Sequence, residues 1–245
     1  MLSKRQSKYF KSLQLKKYRQ AEELFLVEGA KGVEEVLHSS FEVAFLLATP
    51  DFLTAQSPKL LEEVGEVIQA KEGDLVQIGT FKSNNSAIAV VKMPSQRSFE
   101  NINDSLVLAL DGVSDPGNLG TIIRIADWYG IKTIICSNDT ADLFNPKVIN
   151  STMGSFTRVE VIYADLNQYL SQSGRKVYGA LLEGSSIYDA QLREGIILMG
   201  SESHGISEEL RPFVTDAIRI PGRGGAESLN VAVATAVVLD NFFRA

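Results

Sequence analysis

Asn118 and Arg124 stand six residues apart in DGVSDPGNLGTIIRIADWYG (111–130). Glu202 lies in LMGSESHGISEEL (198–210), and Ser228 and Asn230 flank Leu229 in RIPGRGGAESLNVAVATAVVLDNFF (219–243). Each stretch follows an apolar run. Arg124 sits among Ile122, Ile123, Ile125 and Ala126. A guanidinium in so apolar a setting needs an anionic partner, or solvent on one side as a plain surface arginine would have. Asn118 either caps the helix that follows or contacts a ligand, and Glu202 is either a plain turn carboxylate or an acceptor in a site. Ser228 suits an N-cap, a role worth about 1 kcal/mol. Capping does not explain Asn230 together with the glycine-rich loop before it. Gly112, Gly117 and Gly120 permit tight turns and close backbone approach. Their spacing is not G-x-G-x-x-G, and no acid closes the next strand, KTIICS, which argues against a nicotinamide enzyme and against a Rossmann-type methyltransferase. His38 and His204 lie far apart without metal-ligand company, so no metal site is expected. Cys136, the single cysteine, excludes an internal disulfide and reads as a buried structural thiol.

The elements that must position these residues follow from the apolar patterning. From residue 106, LVLALDGV reads as a strand buried on both faces, followed by a helix over GNLGTIIRIADWYGI. Strand KTIICS, a helix around NPKVINSTMGS, strand VEVIYA and helix DLNQYLSQSG continue the alternation. Strands KVYGALLE, IILMGSES and AIRIP come later, with SEELRPF as a helix opened by Ser207 between the last two. Such alternation predicts an α/β domain with a mostly parallel sheet, over 106–245, and a site at the carboxyl ends of its strands. The last helix, with Val231, Val233, Val237, Val238 and Leu239, is apolar nearly all round and must be buried in a core or an interface. Residues 1–95 read as a smaller αβ domain. SKYFKSLQLKKYRQ is helical with Phe10, Leu13 and Tyr18 on its apolar side, AKGVEEVLHSS and SPKLLEEVGEVIQAKEG are helices, and LFLVEG, VAFLLAT, LVQIG and SAIAVVKM are strands. Ser57-Pro58 opens the second of those long helices. The polar stretch 94–105 breaks the pattern, and its residues 96–105 form the expected linker.

Composition sets the partners. The chain has 245 residues and a net charge of −6, but its first twenty carry Lys4, Arg5, Lys8, Lys11, Lys16, Lys17 and Arg19 and no acid. The rest holds the remaining 17 basic residues against all 30 acids, a balance of −13. A basic arm on an acidic body can meet phosphates locally while the body stays soluble. These seven cations are therefore candidates to bind a nucleic acid, the other reading being a solvated helix face. No apolar segment is long enough to span a bilayer, and the basic N-terminus lacks an apolar h-region, so neither a membrane partner nor a signal peptide is expected. The expected location is cytoplasmic.

The three stretches, in this order, resemble the SpoU/TrmH branch of the SPOUT RNA methyltransferases. Asn118 and Arg124 match the family's first motif, Gly200, Glu202 and Gly205 its second, and Ile220, Pro221, Ser228, Leu229, Asn230 and Val231 its third. KSLQLKKYRQAEELFLVEG (11–29) is similar to the basic helix and strand of the family's substrate-binding domain, related to a ribosomal protein fold. Ala226-Glu227 departs from a branched apolar residue and a serine that are common there. The resemblance implies a homodimer with a deep C-terminal trefoil knot, a rare exception to unknotted connections. It implies S-adenosylmethionine-dependent methylation of a ribose 2′-hydroxyl, in rRNA ahead of tRNA, without a metal. Arg124, Asn118, Glu202, Ser228 and Asn230 would be the catalytic group, with the other four fixing Arg124 and the ribose. Gly200, Ser201, Ile220, Pro221 and Leu229 would hold the methyl donor. The alternatives are a non-catalytic RNA-binding protein on the same scaffold and a base-methylating relative.

Overall fold

The computed structural model describes residues 2–95, 98–190 and 192–244; Gln96 and Arg97, in the expected linker, lie outside the described residues. The chain separates into two compact units, Met1–Ser95 with Phe144–Thr157, and Gln96–Leu143 with Arg158–Ala245.

The first unit opens with α1 (Lys4–Ser12) and α2 (Lys16–Glu22). It continues through β1 (Leu24–Glu28), α3 (Ala30–Leu37), β2 (Val43–Ala48), α4 (Pro50–Ala55) and α5 (Pro58–Glu62). Next come β3 (Glu66–Gln69), α6 (Glu72–Ile78) and β4 (Ala87–Lys92). The sheet order is β1-β4-β2-β3, with β4 antiparallel to both neighbours and β3 parallel to β2. Phe10, Leu13, Leu26, Leu47, Leu75, Ile78, Ile88 and Val90 make its main core.

Three expectations change here. The stretch 57–73 is not one helix. Ser57 does cap α5, accepting from the Leu60 N–H at 3.3 Å, but the helix stops at Glu62 and β3 follows. At Gly65 a side-chain carbon would stand 2.6 Å from the Ala44 carbonyl oxygen, so the chain can join β2 only with glycine there. LVQIG belongs to α6 rather than to a strand: Leu75 and Ile78 are both fully buried and three apart, a helical spacing too short to recognise by alternation. The basic segment is two helices, broken at 13–15. Phe10 and Leu13 are buried, as the helical pattern implied, whereas Tyr18 is exposed with the Lys17 Nζ 4.7 Å above its ring.

The second unit contains β5 (Leu106–Leu110), α7 (Pro116–Trp128) and β6 (Thr133–Cys136). After them α8 (Pro146–Thr152) leaves to join the first unit, where Phe144 and Phe156 pack on Phe25. The chain returns with β7 (Glu160–Tyr163), α9 (Leu166–Ser173), β8 (Val177–Ser186), β9 (Gly195–Met199), β10 (Asp216–Arg219) and α10 (Val231–Phe242). All pairings in the six-stranded sheet are parallel, in the order β10-β8-β9-β5-β6-β7. Every residue of β5 and β9 is buried, which explains their uninterrupted apolar sequences. The segment SEELRPF is a turn followed by a single 3-10 turn, Arg211–Phe213. Ser207 does not cap it; its N–H donates to Asp111 Oδ2 at 2.7 Å.

Candidate active site

The sheet reverses direction of winding at β5: the next strand in sequence, β6, lies on one side of it, and β9 lies on the other. In a parallel sheet that arrangement opens a crevice beyond the carboxyl ends of the two strands. The loops after β5 and β9 border it; the first leads into α7, whose first turn carries Asn118, and the second carries Glu202.

Each side chain is placed by local chemistry. Asp115 is the N-cap of α7 and accepts from the Asn118 N–H at 2.9 Å, so the capping role considered for Asn118 falls to Asp115. Asn118, one turn in, keeps its amide for other partners. Beyond β9, Ser201 and Gly205 exchange two backbone hydrogen bonds of 3.1 and 3.0 Å and close a tight turn with Glu202 on it. The His204 N–H donates to Ser201 Oγ at 3.2 Å, bracing the same turn. Gly200 is required here, because an added side-chain carbon would sit 2.0 Å from the Gly205 carbonyl carbon. Gly205 has φ +66°, the left-handed region that favours glycine.

The three stretches meet in one chain of hydrogen bonds. Asn118 Nδ2 donates to Glu202 Oε1. Asn230 Nδ2 donates to Asn118 Oδ1 at 2.9 Å. Asn230 Oδ1 in turn accepts from the N–H groups of Ala232 at 3.0 Å and Val233 at 3.3 Å. Asn230 is therefore the N-cap of α10, and Ser228 is not. The helix starts two residues later than the sequence suggests. Its cap is chosen by the side chain that satisfies both the helix end and a partner 112 positions away. Ser228 is exposed and stands outside this chain of bonds.

Arg124 is exposed and makes no hydrogen bond or ion pair among the described residues, so the polar group does not hold it as expected. Six residues along a helix amount to about 600°, which turns Arg124 roughly 120° away from the face that Asn118 uses. Its guanidinium is free to meet an anion. The loop from Gly222 to Leu229 is exposed throughout, and its backbone makes no hydrogen bond to other described residues outside it. It therefore presents unpaired N–H and C=O groups next to Ile220-Pro221, which follow the end of β10.

The sequence reading missed three groups around this crevice. Asp111 ties the loop after β5 to Ser207. Ser137 Oγ accepts from the Gly112 N–H at 2.8 Å and donates to Asp139 Oδ1, both at the ends of β5 and β6. Nothing in their local spacing distinguishes these from ordinary turn residues. Cys136 is fully buried, and burial pushes its thiol far above the usual range, so it is inert.

The basic arm divides. Lys4, Arg5, Lys8, Lys11, Lys16 and Lys17 are exposed. Arg19 is 2% exposed, and its Nη1 donates to the carbonyls of Leu13 at 3.1 Å and Gln14 at 2.7 Å. It holds the break between α1 and α2 together and is not available to RNA, which corrects its expected role. Among the described residues no helix is long and apolar enough to cross a membrane, and no group of three metal-ligating side chains stands together.

The chain is similar to known proteins over nearly its whole length. The model described as the SpoU rRNA Methylase family matches residues 105–240. One described as the MRM3-like substrate binding domain matches residues 4–89. A Bacillus subtilis (strain 168) protein named 23S rRNA (guanosine(2553)-2'-O)-methyltransferase RlmP is 32% identical over 237 residues, 95% of this chain and 93% of the relative. Among solved structures, a TrmH-family protein from Porphyromonas gingivalis shares 38% identity with a TM-score of 0.89, covering 100% of this chain and 99% of its own. An rRNA methyltransferase from Sinorhizobium meliloti, solved with AdoMet bound, shares 27% identity with a TM-score of 0.88, covering 100% and 96%.

Proposed function

The chain belongs to the SpoU rRNA methylase family, and we propose that it is an S-adenosylmethionine-dependent enzyme that methylates a ribose 2′-hydroxyl in ribosomal RNA. The observation that carries this reading is the Glu202–Asn118–Asn230 chain of hydrogen bonds, which joins three distant stretches at the carboxyl ends of β5 and β9. The unpaired backbone of 222–229 suits an adenine, whose edge is read by N–H and C=O groups, and Gly200, Ser201, Ile220, Pro221 and Leu229 are the donor-holding residues. When bound, S-adenosylmethionine supplies an electrophilic methyl group on a sulfonium.

The protein's own part is to present the hydroxyl. A guanidinium does not deprotonate in proteins, so Arg124 serves as a clamp on an RNA phosphate rather than as the base. It orients the ribose and stabilises the negative charge that develops on the attacking 2′-oxygen as the hydroxyl proton passes to the neighbouring RNA phosphate or to water. Holding hydroxyl and methyl in line supplies much of the acceleration. Asn118, Glu202 and Asn230 keep the floor of the site rigid, and exposed Ser228 is placed to reach the ribose. The enzyme works as a cytoplasmic homodimer whose C-terminal unit is knotted; the exposure of Val233, Leu229 and Phe243 around an otherwise apolar α10 supports a covering second copy. Residues 1–95 with 144–157 act as the RNA-binding domain and the rest of 106–245 as the catalytic domain, with Lys4, Arg5, Lys8, Lys11, Lys16 and Lys17 on the RNA.

The test is transfer of labelled methyl from S-adenosylmethionine to undermodified RNA, followed by nuclease digestion and nucleoside mass spectrometry. A 2′-O-methylated nucleoside that disappears with Arg124→Ala is expected. A base-methylated nucleoside, or donor binding with no transfer to any RNA, would overturn the proposal.

A further inference from the structure

The first unit contains a cleft of about 650 Å³ that takes no part in the site above. It is lined by Gln14, Phe81, Pro146, Lys147, Asn150 and Met153, among others. The volume is within the range of about 300–1,000 Å³ typical of pockets for small ligands. Phe81 and Met153 are both more than a third exposed, an apolar pair left open at a polar rim.

Beneath the cleft lies Glu28, a buried carboxylate at the end of β1. It accepts from the Thr80 N–H at 2.8 Å, the Phe81 N–H at 3.2 Å, Thr80 Oγ1, and Asn150 Nδ2 at 2.9 Å. The carboxylate therefore fixes both Phe81 and Asn150. It also dictates which way the Asn150 amide faces, because only the NH₂ end can meet a carboxylate. Gln14 is fixed by the same logic: its Nε2 donates to the carbonyls of Ile78 at 2.6 Å and Gly79 at 2.8 Å. Both amides spend their donors on the protein. Gln14 Oε1 and Asn150 Oδ1 have no partner among the described residues, two acceptors held at a cleft with an aromatic ring beside them.

We infer that this cleft binds a single unstacked RNA base that carries an exocyclic amine, stacked on Phe81 and donating to Gln14 Oε1 and Asn150 Oδ1. The inference rests on the RNA-modifying reading given above and names how that RNA is chosen. Fixed acceptors select N–H donors. Cytosine, adenine and guanine each offer an amino group, whereas uracil offers one ring N–H between two carbonyls that the acceptors repel. Sequence-specific recognition of RNA falls on splayed bases of this kind, stacked on aromatic side chains. The charge arrangement agrees. Gln14 belongs to the break between α1 and α2, so the exposed Lys11, Lys16 and Lys17 stand next to it in sequence and can track the backbone of the strand whose base enters.

The test uses the full chain and fluorescence anisotropy with labelled heptauridylate and with the same oligomer carrying a central cytidine, adenosine or guanosine. At least one amino-bearing oligomer should bind about tenfold more tightly than heptauridylate, the scale of one stacked, hydrogen-bonded base. Phe81→Ala, at an exposed position that leaves folding intact, should bring all four to similar affinity. Asn150→Ala should remove the preference for the amine while retaining part of the affinity, with a melting curve to check its fold. Equal binding of all four oligomers by the unaltered protein, or a preference untouched by Phe81→Ala, would overturn the inference. Methyl transfer is measured on the same preparation. Transfer with base-indifferent binding removes the cleft and leaves the enzyme; base-selective binding without transfer does the reverse.

Discussion

Asn118 uses both ends of one amide, giving a hydrogen bond to Glu202 and taking one from Asn230. No other side chain of its size does both. Asn118→Asp has nearly the same shape but replaces the donor by an oxygen facing the Glu202 carboxylate. It should therefore be as damaging as Asn118→Ala, each lowering kcat about 10- to 100-fold, the scale of a hydrogen bond to a charged group. Equal activity of the Asp variant and the parent would show that the contact with Glu202 does not matter. Arg124 differs because it has no hydrogen bond or ion pair among the described residues. Arg124→Ala should leave donor binding and melting temperature as they are and reduce methyl transfer at least ~100-fold, as expected for the loss of one preorganised electrostatic contact. Isothermal titration with S-adenosylmethionine and single-turnover transfer separate the two effects.

The elements are held by contacts that only certain residues allow. In Gly200→Ala the new methyl group would overlap the Gly205 and Ile206 backbone, at 2.0 and 2.2 Å. The turn that carries Glu202 must then open. We expect a loss of about 1–3 kcal/mol in denaturant unfolding, the usual cost of overpacking, accompanied by a loss of transfer. Arg19→Ala should likewise destabilise, by about 2–3 kcal/mol, because the buried guanidinium closes the break between α1 and α2 onto two carbonyls. Lys16→Ala and Lys17→Ala are the contrast. Both side chains are exposed, so melting should not move, while RNA binding weakens.

For the whole molecule, charge distribution is the property that governs its partner. An acidic body with a basic first segment should bind RNA with a strong salt dependence confined to that segment. Each exposed cation removed from Lys4, Arg5, Lys8, Lys11, Lys16 and Lys17 that contacts a phosphate should reduce the slope of log K against log salt by about 0.7–0.9. An unchanged slope after removal of all six would place the RNA elsewhere. If a second copy covers α10, sedimentation should give twice the chain mass, and Val233→Asp, at a half-exposed apolar position, should give the single-chain mass with the fold retained.

The sequence alone determined the six parallel strands, the three site stretches and their order. Strands buried on both faces are written as continuous apolar runs such as LVLAL and IILM, and the three stretches that follow strands stand out by polar residues beside glycines, as at Asn118, Glu202 and Asn230. It also located the exposed lysines. Tertiary structure alone decided which of two nearby polar residues caps α10, since Asn230 is held in that place by a partner more than a hundred positions away. It decided that 57–79 alternates short helix, strand and helix, because β3 exists only by pairing with β2. It moved α8 into the first unit, turned Arg19 inward and oriented the amides of Gln14 and Asn150. Periodicity and composition act over a few residues and are legible along the chain. A cap, a buried cation or a fixed amide depends on which distant group arrives beside it, and that is set only when the chain has folded.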